Sequence, residues 1–135
     1  MPEWGTLMET GIPLVDAQHR ELVERINELG LSMRRGRGGE VLIDLMVYLR
    51  RYANQHFETE ERIMVESGYP STEEHRVLHR AFREDLACHF EVFASSPAER
   101  STTLNIHKWL MKWLQNHVLY VDLKLADHMR DRGLI

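Results

Sequence analysis

Apolar residues return every three or four positions along most of this chain. Between residue 13 and about residue 35, Val15, His19, Leu22, Ile26, Leu29 and Met33 keep that spacing, the mark of a helix that buries one face. Pro13 suits its first turn. The segment RRGRGGE breaks the pattern with three glycines, and a second stripe follows through Leu42, Leu45, Leu49, Tyr52 and Ile63, stopped by Gly68 and Pro70. Ser71 to Glu74 reads STEE, a capping box that starts a third stripe of Phe82, Leu86, Phe90 and Phe93. Ser96, Pro97 and Glu99 repeat the device before a fourth stripe of Ile106, Leu110, Trp113, Val121 and Leu125, which ends ahead of Arg132 and Gly133. No segment alternates with period two between hairpin turns, so no strand is expected. Four amphipathic segments of roughly 20 to 28 residues with short connections predict an all-α fold, an antiparallel up-down-up-down four-helix bundle.

The stripes contain residues that burial should exclude. His19 lies on the first, His56 and Glu60 on the second, His75 and His79 on the third, and His117 on the fourth. Removing a carboxylate and several imidazoles from water is unfavourable unless something pairs with them, and the charge of a metal site pairs with all of them at once. A helix turns about 100° per residue, so side chains four apart reach one ion; His56 with Glu60 and His75 with His79 are such pairs. Asp122 follows His117 by five, about 140° around an ideal helix. It reaches the same site only if the helix widens, and a π-type bulge near residues 118 to 121 is the expected device.

A lone histidine on an apolar face is usually a satisfied core residue. On that ground His89, His107 and His128, which lack partners at helical spacing, are read as surface or packing residues. Glu58, Glu61 and Glu66 fall on the outer face and are read as solvated, and Met46, Met64, Phe82, Phe93 and Trp109 as ordinary core.

Composition narrows the chemistry. With 135 residues, 43% of them hydrophobic, the chain has enough material for one domain with a real core, and residues 1–135 are read as one. Seventeen Lys and Arg against twenty-one Asp and Glu leave no basic excess to neutralise a phosphate backbone, so no nucleic-acid partner is expected. Cys88 is the only cysteine, which excludes an intramolecular disulfide and restricts any metal site to histidine and carboxylate ligands. No window reaches the roughly 18 apolar residues of a membrane span, and the N-terminus lacks the plan of a signal peptide. A cytoplasmic protein without a membrane partner is expected.

The segments DAQHREL around His19, HFETEE from His56, HRVLH from His75 and WLQNHVLYVD from Trp113 resemble the hemerythrin family, most closely its bacterial single-domain members. The resemblance covers nearly the whole chain, with five histidines, one glutamate and one aspartate in the family's order. It implies a non-haem di-iron centre that binds dioxygen reversibly. His75, His79 and His117 would hold one iron and His19 and His56 the other, with Glu60, Asp122 and an oxo or hydroxo group bridging the two ions. The iron with two histidines keeps an open position for dioxygen. Leu22, Phe57, Trp113 and Val118 are the candidates for an apolar wall that keeps this pocket dry, ordinary core packing being their other role. Val118 stands where the family often has isoleucine, which would enlarge the pocket. Tyr120 either brings a phenol to the site or points outward.

Imidazole and carboxylate donors suit iron, and an open coordination position is how such a site receives a substrate. Five neutral imidazoles with only two carboxylates, and no inward Glu-x-x-His pair, favour reversible binding over the oxidation chemistry of carboxylate-rich di-iron bundles. Oxygen storage, transport, delivery or scavenging is therefore the leading expectation, and the protein is not expected to be an enzyme. A sensor would pair the same domain with an output domain, which these residues do not contain, and a peroxidase or oxidase would turn over a reductant. A metal-stapled structural bundle would have no open position.

Overall fold

The computed structural model describes residues 8–95 and 100–135, and among them there are helices and turns but no strand. Helix α1 runs Pro13–Arg34, α2 Gly38–Ser67 and α3 Thr72–Ser95. The fourth rod has three parts: α4, Arg100–Trp113, a π-helical stretch Leu114–Asp122, and α5, Leu123–Asp131. The expected break at Ser96, Pro97 and Glu99 lies outside the described residues. Helix α1 packs on α2, α2 on α3, and the fourth rod returns against α1, α2 and α3, closing the four-helix bundle.

Local chemistry accounts for the punctuation. The glycine-rich break is shorter than the sequence pattern indicates, because only residues 35 to 37 leave helical geometry and Gly38 already opens α2. A Cβ on Gly38 would stand 2.7 Å from Met33 Cγ and 3.0 Å from Thr103 Cγ2, so α2 approaches α1 and α4 at a point where only hydrogen fits. Helix α2 ends at Gly68, whose φ of 67° lets Tyr69 N–H donate to the Met64 carbonyl at 3.0 Å. The Ser71 carbonyl accepts from His75 N–H at 3.0 Å, which puts Ser71 at the start of α3 as the STEE motif predicts. The start of α1 is tied from beyond: buried Asp16 accepts from Thr10 N–H and Oγ1–H, both at 2.8 Å, and Arg130 donates to the Thr10 carbonyl at 2.8 Å.

The core divides along the bundle axis. The half near the α1–α2 connection holds Ile26, Leu29, Leu42, Leu45, Met46, Leu49, Ile106 and Leu110, all essentially without exposure. The other half carries the buried histidines and carboxylates on the continuation of the same stripes.

Candidate metal centre

All four rods contribute to the polar half. Helix α1 supplies His19, α2 supplies His56 and Glu60, α3 supplies His75 and His79, and the π-helical stretch supplies His117 and Asp122. None of the seven is more than 3% exposed. In π geometry each turn takes about one residue more than in an α-helix, so positions five apart share a face. That brings Asp122 under His117, at 3.1 Å from His117 Nε2 to Asp122 Oδ1. The widening spans nine residues, longer than the expected bulge near 118 to 121.

The donor atoms form two groups. Glu60, His75, His79, His117 and Asp122 can each present one atom such that all lie within 4.8 Å of one another, and so can His19, His56 and Asp122. Asp122 belongs to both, and its oxygens divide between them. Oδ2 stands 2.8 Å from His19 Nε2, while Oδ1 stands 3.1 Å from His75 Nε2 and 3.1 Å from His117 Nε2. Glu60 Oε1 likewise lies between the groups, 2.9 Å from His56 Nε2 and 3.3 Å from His79 Nε2. The Nε2 atoms of His19 and His56 are 3.2 Å apart, as are those of His75 and His117.

Whether this set fits a metal is answered by what its atoms lack. Both oxygens of Glu60, both of Asp122 and Nε2 of His79 are buried without a hydrogen bond of proper geometry, although nitrogens crowd around the oxygens. Buried polar atoms are normally satisfied. Here their lone pairs converge on shared points, an arrangement that is unfavourable empty and favourable around cations. The two groups could each hold a metal ion, with Asp122 common to both, and nitrogen with oxygen donors, without thiolate, suits iron.

Without metal, the carboxylates and imidazoles adjust to one another. Burial alone would lower His56 and His117, but the charge of Glu60 overrides it at His56 and that of Asp122 at His117, and both are pushed up to about 9. His75 is raised against burial in the same way, whereas burial prevails at His79 and lowers it. Burial tends to raise Glu60 and Asp122, yet the adjoining imidazoles hold both well below the usual carboxylate range.

Around the seven lies a layer that the sequence reading only partly names. Of the four candidate wall residues, Leu22, Phe57 and Val118 have no exposure and Trp113 is half-buried, and all four belong to or pack against the apolar core. Phe57 stacks on the His79 ring at 3.8 Å with 5° between planes, and Trp113 on His117 at 4.6 Å and 11°. Tyr52, read from the sequence only as a stripe residue, stacks on His56 at 4.7 Å and 15°. Tyr120 points outward at 66% exposure, so its phenol is not at the site.

Gln18, given no role by the sequence, and Glu61, expected there to be solvated, hold the outer nitrogens. His56 Nδ1–H donates to Gln18 Oε1 at 2.6 Å, and His79 Nδ1–H donates to Glu61 Oε2 at 3.2 Å. Glu61 is therefore not a purely solvated residue, as its outer-face position implies; its other oxygen is 3.4 Å from Arg76 Nε. A usable signal does exist, since each lies next to a cluster residue, Gln18 before His19 and Glu61 after Glu60, and so about 100° round its helix toward a neighbour. The three remaining histidines stay apart from the cluster. His89 leans on Trp109, His107 is half-buried, and His128 Nε2–H donates to the Ser67 carbonyl at 2.9 Å.

Residues 10–128 match the family described as the hemerythrin HHE cation binding domain. A bacteriohemerythrin of Stenotrophomonas maltophilia is 31% identical over 130 residues, covering 94% of this chain and 80% of the relative. A bacteriohemerythrin of Clostridium acetobutylicum is 24% identical, covering 92% of this chain and 98% of the relative. A hemerythrin of Phascolopsis gouldii is 26% identical over 121 residues, 90% of this chain and 87% of the relative.

Proposed function

The chain belongs to the hemerythrin family, whose domain implies a di-iron centre, and on that premise we propose that it binds dioxygen reversibly at two irons held by the seven clustered residues. His75, His79 and His117 would hold one ion, His19 and His56 the other, and Glu60 and Asp122 would supply carboxylate oxygens to both. The observation that carries this reading is the division of Asp122: one oxygen faces His19, the other faces His75 and His117. A carboxylate so placed serves two cations rather than one.

Two ferrous ions supply the electrons and the open coordination position that reversible dioxygen binding needs. The protein's part is to fix the ligands and exclude water. With three imidazoles for one ion and two for the other, the open position would belong to the His19–His56 side. Leu22, Phe57, Trp113 and Val118 are its apolar wall, so that dioxygen, itself apolar, enters a space in which water and acid are disfavoured. Phe57 and Trp113 also fix the planes of His79 and His117 by stacking. The role is binding rather than turnover, as five neutral donors against two carboxylates favour. It serves storage, transport, delivery or scavenging of oxygen in the cytoplasm, where the exposed free Cys88 stays reduced.

The test is anaerobic reduction of the iron-loaded protein, admission of oxygen and its removal, followed by visible absorption with iron counted per chain. Two irons and a spectrum that returns through repeated cycles support the proposal. A spectrum that changes once and never returns removes it.

A further inference from the structure

The two outer-nitrogen contacts differ in charge. His79, on the three-histidine side, donates to a carboxylate, Glu61, which Arg76 holds from outside. His56, on the two-histidine side, donates to a neutral amide, Gln18, and the bond is short at 2.6 Å. A partner on the far nitrogen fixes a ligand's tautomer and raises its basicity, and a charged acceptor does so roughly twice as strongly as a neutral one. The difference does not follow from burial of the ligands, since His56 and His79 are both without exposure.

Resting on the reading above, we propose that Gln18 and Glu61 are positioning residues that set the two metal positions to unequal donor strength, with Gln18 keeping the open position electron-poor. The Glu61 carboxylate draws the His79 proton toward itself and gives that imidazole anionic character, which would favour the ferric state of an iron bound to it. Gln18 fixes the His56 ring just as firmly but withdraws far less charge from its N–H. An iron ligated by His56 would then have its oxidised state favoured less, and oxygen release would be easier. A carboxylate in place of Gln18 would erase the difference while filling the same volume. There is room for it, because Gln18 borders a cavity of about 280 Å³ shared with Glu21, Arg51, Tyr52 and Gln55.

The experiment uses Gln18→Glu, Glu61→Gln and the double exchange, each in zinc-loaded and iron-loaded full-length chain. In the zinc form the Nδ1–H proton resonances are read directly. Gln18→Glu moves the His56 proton further downfield, and Glu61→Gln moves the His79 proton upfield. In the iron form Gln18→Glu lowers the reduction potential and slows oxygen release by about 10-fold or more, the scale of such contacts. Glu61→Gln shifts the potential the other way. Wild-type resonances and potential in Gln18→Glu overturn the proposal. If the proton shifts appear as stated but the wild type does not bind oxygen reversibly, the donor asymmetry stands and the oxygen-binding reading fails.

Discussion

The two halves of the bundle are built on the same four stripes and do opposite things with them. Toward the α1–α2 connection, the inward positions are Ile26, Leu29, Leu42, Leu45, Leu49, Ile106 and Leu110, and burial alone favours the packed state. Toward the other end, the inward positions become His19, His56, Glu60, His75, His79, His117 and Asp122, equally buried. Burial there is unfavourable for the isolated groups, so it is the apolar half that holds the four rods in place. The comparison teaches that stability and function are separated along the axis, and it can be broken from either end.

The largest effect is expected at the bridge. Asp122→Ala removes the residue shared by both donor groups, and iron per chain, measured after loading and desalting, falls from two to one or none while helical content is kept. Leu42→Ala is the converse. A fully buried leucine cut to alanine lowers stability by about 2–5 kcal/mol in denaturant titration, with iron per chain unchanged. Loss of iron in the second variant, or of the fold in the first, would erase the division between the halves.

A smaller effect separates the halves by pH. In the metal-free protein His56 and His117 stand at about 9 against an ordinary 6.5. Their contribution to stability is therefore full below pH 6.5 and is lost as pH rises through about 9. Glu60 and Asp122 are held below ordinary values of 4.5 and 3.8, so theirs is present above those values and lost as pH falls below them. Thermal unfolding of the metal-free protein should show a Tm that declines from pH 6.5 toward about 9. The metal-loaded protein should lack that decline, because cations replace the protons and the imidazoles bind as neutral ligands. A parallel decline in both forms contradicts the exchange of protons for metal.

The smallest effect sharpens the apolar wall. Val118→Ile adds one methylene to a residue without exposure, and autoxidation of the oxygenated protein should slow a few-fold as water is better excluded. Tyr120→Phe, at a side chain facing solvent, should leave the same rate unchanged.

Much of this contrast is written in the sequence because a carboxylate or a cluster of imidazoles on an inward stripe conflicts with burial, and only a ligand resolves the conflict. The five-residue step from His117 to Asp122 carried structural information for the same reason, since an ideal helix would have turned the carboxylate away. Other features follow from contacts between rods, to which a stripe is blind. Gln18 and Glu61 fall at outward positions by helical phase, yet each reaches the outer nitrogen of a histidine on the next helix. Tyr52 is a plain stripe residue until its stacking on His56 is seen. Gly38 reads as a breaker but opens a helix, because its missing side chain admits Met33 and Thr103. The tie from Arg130 to the Thr10 carbonyl spans 120 positions and leaves no local trace.

The claim on which the rest depends is that one aspartate and one glutamate join two cations inside a cage of five imidazoles. Anomalous diffraction at the iron absorption edge, on crystals of the iron-loaded protein, tests it most directly. Two iron peaks are expected, joined through Asp122 and Glu60, with His75, His79 and His117 on one, His19 and His56 on the other, and one coordination position on the second not taken by protein. A single peak, or two peaks whose positions are all filled by side chains, would contradict it.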